Sequence, residues 1–339
     1  MFRRARGNYR GIPPIKSGGA GPPPPIIPAQ WKDLFPGAFL VGQTDFGLTY
    51  GSVMKPTAGN SSATIVQISG AIAGVPVPVW VKATNSLGVG TGGTFDVYFD
   101  GLGVTPAIVG LLPVGGATIA LTGAGAGLGL TWTANTSVAN DTWKATCAAL
   151  ADQSGNGFHY SQPVSGRQPI VTAGLNGKPG LLFDGGDDYL QATIVGLALP
   201  YQPIIVARHL NPTTPSAPLI GTANGSAGVL YTGGAGSVIL AYAGSFGSSV
   251  PFTSTAPTRF SYTFTNSAAD TVRAGAASNS GTSAFSNVDA NVAIGGNLGF
   301  AQFGNIEVFA VIYTPPTSLA AFDAALNTPQ GYGPGAIAV

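Results

Sequence analysis

The chain has 339 residues, enough for about two domains at the usual domain size, and 45% of them are apolar, enough for a substantial core. Charged residues make up only 8%, against about 25% in an ordinary soluble chain, and the net charge is +1. One glutamate (Glu307), 51 glycines and 27 prolines exclude a helix-rich architecture, and a single cysteine, Cys147, excludes an internal disulfide framework.

Residues 1 to 35 read as an extended, basic, Pro/Gly-rich arm. Arg3, Arg4, Arg6, Arg10, Lys16 and Lys32 are six of the fourteen basic residues, and a glycine-rich stretch runs into Pro22, Pro23, Pro24 and Pro25. Such a segment has too little apolar surface to fold alone, and its proline run favours polyproline II. Arg3, Arg4, Arg6, Arg10, Lys16, Pro22, Pro23, Pro24, Pro25 and Trp31 are therefore assigned to anchoring on a partner. Six cations are few for neutralising a nucleic acid. Glycine and proline forbid the amphipathic helix that lies on a membrane. The expected partner is an acidic protein surface, with no nucleic acid and no membrane. The early arginines are followed by Gly-Ile-Pro-Pro rather than an apolar run, so no secretory signal is expected.

Residues 36–135 read as a first β-sandwich. Strands are expected at 38–43, 64–69, 77–84, 94–100, 117–122 and 128–134, with turn residues between them. No charge falls between Gly101 and Asn140, but Pro106, Pro113 and the intervening glycines break any membrane helix there. Val79-Trp-Val-Lys-Ala-Thr-Asn-Ser-Leu-Gly88, followed by Gly93-Thr-Phe-Asp-Val-Tyr-Phe99, resembles bacterial and phage immunoglobulin-like repeats.

Residues 136–330 carry the densest turn signals. Residues 141–150 fit either a short helix or a strand. Asp152-Gln-Ser-Gly-Asn-Gly157 is a polar turn, and Leu175-Asn-Gly-Lys-Pro-Gly-Leu-Leu-Phe-Asp-Gly-Gly-Asp-Asp-Tyr-Leu190 alternates turn and strand twice. These two motifs, in this order, resemble the concanavalin A-like lectin/laminin-G jelly-roll family, and the resemblance implies a surface-binding module. Further strands are expected at 203–209, 218–223, 228–231, 238–243, 259–265, 271–274, 291–294 and 305–313. A closing helix is expected over 317–326, capped by Thr317 or Ser318, before a tail at 331–339. The expected fold class is all-β: two β-sandwiches, immunoglobulin-like and then concanavalin A-like jelly roll, behind an extended arm.

Enzyme chemistry finds little in the sequence. Glucanases on the lectin-like fold place two Glu and an Asp on one strand. Glu307 has no acid within five residues and reads as a strand residue on the solvated face. His159 and His209 are the two histidines, and with Cys147 they lack the spacing of a zinc site. Gly123-Ala-Gly-Ala-Gly-Leu-Gly129 lacks the lysine and helix of a phosphate loop. Asp184, Asp187 and Asp188 fit calcium or ordinary turn chemistry. Tyr160, Tyr189, Tyr201, Tyr231 and Tyr242 are candidate sugar platforms. No catalytic, cofactor or metal residue is assigned, and calcium is the one ion considered. The sequence-based expectation is a non-enzymatic tailed-phage virion protein, a capsid decoration or head fibre with a tail component as close variant. It assembles in the host cytoplasm and is exposed on the particle. Its arm binds the major capsid protein or another virion protein. It self-associates as a dimer or trimer, and it touches host-surface glycan. A carbohydrate-binding adhesin, and then a glycan hydrolase or lyase, are the alternatives.

Overall fold

The computed structural model describes residues 31–339 other than 58–59, 61–62, 101–104, 213–216, 224–228, 234–237, 243–245, 285–287 and 329–330. The anchoring assignments at Arg3, Arg4, Arg6, Arg10, Lys16 and Pro22 to Pro25 lie outside the described residues. The fold is all-β, as expected, and the described residues form antiparallel sheets in two sandwiches. Among the described residues no helix is long and apolar enough to cross a membrane.

The larger sandwich pairs an eight-stranded with a nine-stranded sheet. In the first, the strand Asn305–Thr314 is central, flanked by Gln202–His209 on one edge. Its other edge is shared end to end, Lys178–Asp184 pairing with residues 305–308 and Leu40–Gln43 with residues 310–313. Alternation along Asn305–Thr314 sends Ile306 and Val308 into the space between the sheets. There they join Phe183, Leu190, Ile220, Phe260 and Ile294 in one apolar core. The opposite face is covered too, by Trp31, Phe35, the helix Ala320–Leu326, Tyr332 and Ile337. Trp31 meets Phe322 and Tyr332 edge-on at 5.2 and 5.4 Å. Burial on both faces is why Asn305–Thr314 reads as a nearly continuous apolar run.

The smaller sandwich sets a five-stranded sheet (Lys55–Pro56, Thr142–Lys144, Trp80–Ala83, Phe95–Tyr98, Ile108–Leu111) against Val66–Gly70, Leu128–Trp132 and Thr118–Ala120. Phe95, Trp132 and Trp143 fill its core.

The expected domain boundaries need correction. Leu40–Gln43 and Leu48–Tyr50 fall within the range read as the first sandwich, yet both pair into the larger one. The smaller sandwich is an insertion of residues 51–145. Tyr50 pairs with Cys147, and Gly51 N–H donates to Thr146 C=O at 2.9 Å, so the chain leaves and returns at the same place. Residues 141–150, read as one short element, are that return: Thr142–Lys144 closes the smaller sandwich and Cys147–Leu150 reopens the larger. The tail is part of the fold, with Ala338 bonded to Pro257 and Arg259. The helix begins at Ala320, later than expected. Ser318 Oγ accepts from Ala320 N–H at 3.5 Å, while Thr317 N–H donates to Gln202.

Asp152 explains how the first strand is held. Its Oδ1 accepts from Val41 and Ser154 N–H, and its Oδ2 from Ser154 Oγ and Phe158 N–H, all within 2.8–3.1 Å. Asn156 Nδ2 donates to Ala38 and Phe39 carbonyls, each at 3.0 Å. The polar turn is thus a clasp for residues 38–41, a structural use of aspartate and asparagine side chains as backbone partners.

Candidate functional site

Where the two sandwiches meet, a cleft of about 370 Å³ opens between the five-stranded sheet and the outer face of the eight-stranded one. That volume falls in the range of about 300–1,000 Å³ usual for small-ligand sites. Its floor is a cross-strand row. Leu182 lies opposite Glu307, and Glu307 opposite Arg208. Arg208 Nη2 donates to Glu307 Oε2, and Thr172 Oγ1 donates to Glu307 Oε1. Gly180 makes room for this carboxylate, since a Cβ there would lie 2.7 Å from Glu307 Oε1 and 2.8 Å from Thr172 Oγ1. The second glycine of the Gly-Lys-Pro-Gly turn therefore makes room for a charged group on the neighbouring strand.

The wall is Trp80 and Lys144, directly opposite each other on neighbouring strands. Trp80 Nε1–H donates to Val171 C=O at 3.3 Å, and the Lys144 ammonium lies 4.1 Å from the centre of the indole. Burial lowers the Lys144 pKa from its ordinary value. Asp100, exposed, and Leu210 complete the rim.

Several expectations are settled by placement. Glu307, read as a solvated strand residue, is 3% exposed and ion-paired. Trp31, read as part of the anchoring arm, is buried in the chain's own core. Of the candidate platforms, Tyr160 and Tyr201 are core residues, whereas Tyr189, Tyr231 and Tyr242 are partly exposed. Asp184, Asp187 and Asp188 do come together, but with cations of the chain itself. Lys55 Nζ lies 3.0 Å from Asp184 and 2.7 Å from Asp188, and Arg167 lies 3.7 Å from Asp187. Lys55 thus supplies positive charge where calcium would. Burial pushes the Asp188 carboxyl up to about 6 in spite of Lys55.

Neither histidine serves the cleft chemistry. His159 Nδ1 accepts from Asp152 N–H at 2.9 Å. His209 is fully buried, and its Nδ1 accepts from Asn211 N–H, which leaves the ring proton on Nε2. Burial pushes its pKa from 6.5 down to about 4. Between those values the unfolded chain binds a proton that the folded chain refuses. The contribution is therefore complete above the unfolded pKa and is lost as pH falls toward 4. The loss is expected to be about 3 kcal/mol. Urea midpoints measured at pH 7.5 and 4.5 check this. The drop should be smaller by that amount in His209→Leu, and an identical drop in both proteins refutes it.

Sequence reasoning missed Trp80, Lys144, Arg208 and Asp100 as site residues. They come from both sandwiches, and no local spacing joins them. The usable signal was the lone glutamate inside an apolar strand, a buried charge that needs a partner.

No family model matches the sequence, and no curated protein matches it. Among solved structures, two arabinofuranosidase structures, one of them a GH54 enzyme soaked with a cyclic sulfate inhibitor, align over 86% of this chain and 61% of theirs. Their identity is 14% and their TM-scores are 0.42 and 0.41. The receptor-binding domain of botulinum neurotoxin type G aligns over 51% of this chain and 47% of its own, at 10% identity and a TM-score of 0.38. The chain thus spans about half the length of that domain. The expectation of a non-enzymatic protein is not upheld: the two structures that align over 86% of this chain are arabinofuranosidases. At these TM-scores no likeness carries a substrate or a mechanism across.

Proposed function

We propose that this protein recognises carbohydrate and that the cleft between its sandwiches is the sugar site. The observation that carries this reading is the convergence of an indole, a fixed Arg208–Glu307 pair and the Thr172 hydroxyl in one cleft. A pyranose or furanose ring offers a C–H face to an aromatic ring and hydroxyls to charged groups, and a few fixed polar groups set its orientation. The test is a glycan array followed by calorimetry on the best ligand. Trp80→Ala is expected to weaken binding at least tenfold with the melting profile otherwise retained. Retention of full affinity in Trp80→Ala rules out the cleft.

A second reading, glycoside hydrolysis in the same cleft, has its own observation. Two carboxylates, Glu307 and Asp100, line the cleft from opposite sandwiches. Glycosidases work with such a pair. Release of reducing ends from a bound glycan, abolished by both Asp100→Asn and Glu307→Gln, supports it. Binding without product favours recognition alone.

The setting we propose is the surface of a tailed-phage particle, with the larger sandwich a concanavalin A-like module and the smaller an immunoglobulin-like spacer. Low charge supports both this and self-association. Full-length protein is expected to rebind, saturably, to virions stripped of it. The variant with Arg3, Arg4, Arg6 and Arg10 replaced by alanine is expected to stay in the supernatant. Equal sedimentation of the two, or of neither, argues against an arm-anchored particle protein.

A further inference from the structure

We infer that the cleft selects acidic saccharides, taking an anionic substituent of the sugar between Lys144 and Arg208; the inference rests on the carbohydrate reading above.

The charges in the cleft do not cancel where they are desolvated. Arg208 and Glu307 neutralise each other by direct contact. Lys144 is different. Its direct cross-strand neighbours are Lys55 on one side and Trp80 on the other. Lys55 is committed to Asp184 and Asp188. Like charges opposite each other in a sheet repel, so Lys55 gives Lys144 nothing. No carboxylate among the described residues lies in ion-pair range of Lys144, which lies over the Trp80 ring and is partly desolvated. A half-buried ammonium without a counter-ion is a costly thing to keep. An arriving anion removes that cost.

A second donor supports the same assignment. Arg208 spends Nη2 on Glu307, yet its side chain stays 37% exposed and its Nη1 has no hydrogen-bond partner among the described residues. Guanidinium and ammonium groups with unused protons form the stronger, charge-assisted hydrogen bonds with carboxylate or sulfate oxygens. Trp80 then meets the ring of the same sugar residue. The other carboxylate of the cleft, Asp100, is exposed and is left to the hydroxyls.

The experiment uses the full-length protein and three matched sets of immobilised oligosaccharides: uronate-containing, sulfated, and neutral. The uronate set is also presented after carboxyl reduction, which keeps each ring and removes its charge. Binding is expected on one of the acidic sets, weakened at least tenfold by carboxyl reduction or desulfation. Lys144→Gln is expected to reproduce that loss on the acidic glycan and to add none on the uncharged form. Lys144→Arg should retain most of the affinity. The uronate and sulfate sets decide which anion is read. Equal affinity for acidic and uncharged forms overturns the inference, as does unchanged acidic binding in Lys144→Gln. If neutral sugars bind and Trp80→Ala abolishes it, the carbohydrate reading stands and the acidic preference fails. If no saccharide is retained by the wild-type protein, both fail.

Discussion

Replacing Lys178 by methionine is expected to remove about 3–5 kcal/mol from the stability of the larger sandwich, the usual effect of stranding one partner of a buried ion pair. Lys178 Nζ lies 2.5 Å from Asp45 Oδ2, and the two side chains are 11% and 2% exposed. Asp45 Oδ1 has no hydrogen-bond partner among the described residues, so the carboxylate depends on this lysine. The surroundings cannot relax to admit water cheaply. Thr44 Oγ1 reaches the carbonyls of Pro179 and Phe309 at 2.6 and 2.9 Å, and the Tyr332 ring lies 5.6 Å from the ammonium. Substituting both partners, Asp45→Leu with Lys178→Met, is expected to recover most of the loss, because the pair's net contribution is small even though each half is costly alone. Urea unfolding of wild type and the two variants, read on the larger sandwich's transition, checks this. A Lys178→Met protein within about 1 kcal/mol of wild type is incompatible with a carboxylate buried in its charged form.

The same lysine shows what a sequence reveals and what it hides. Leu175-Asn-Gly-Lys-Pro-Gly180 is legible as a turn, because asparagine and glycine announce positive φ, and Asn176 and Gly177 adopt it at 49° and 72°. That the lysine inside it holds Asp45, and the glycine after it makes way for Glu307, depends on strand order across a sheet. Strand order is a non-local property with no periodicity of its own. The all-β class and most strands follow from alternation and turn residues, which are local. The insertion of residues 51–145 does not, since its proof is the pairing of Tyr50 with Cys147, nearly a hundred residues apart. Asp152 is recognisable in its turn, but its grip on Val41 spans 111 residues. Glu307 stands out as the one glutamate. Sequence reasoning misplaces it on the solvated face because an alternating strand has two faces, and nothing local says that the helix, Trp31 and the smaller sandwich cover the second. The cleft depends on both non-local facts at once, with Trp80 and Lys144 arriving from an inserted domain and Glu307 and Arg208 from the host domain.

Glycine supplies the other large expected effect, because at one position two separate requirements coincide. Gly295 has φ +75°, and a Cβ added there would overlap the Phe183 ring at Cδ1. Phe183 is fully buried, so its ring cannot swing aside into solvent. The backbone is equally pinned, with Gly295 N–H donating to Leu219 C=O at 3.2 Å and its own C=O accepting from Gly304 N–H at 2.8 Å. Gly295→Ala is therefore expected to lose about 1–2 kcal/mol from the left-handed backbone and a further 1–3 kcal/mol or so from overpacking. Gly196 separates the two contributions. It has φ +80° and open space within 4 Å of where a methyl group would stand, so Gly196→Ala carries the backbone cost alone. Chemical denaturation of the two variants side by side makes the comparison. The difference between them measures how firmly the core holds Phe183, and through Phe183 the strand that presents Leu182 to the cleft. Equal losses would mean that the ring yields and that the cleft floor is softer than its hydrogen bonds imply. A much larger loss at Gly295 means that the floor is set by the core behind it, which is the condition for a preorganised site.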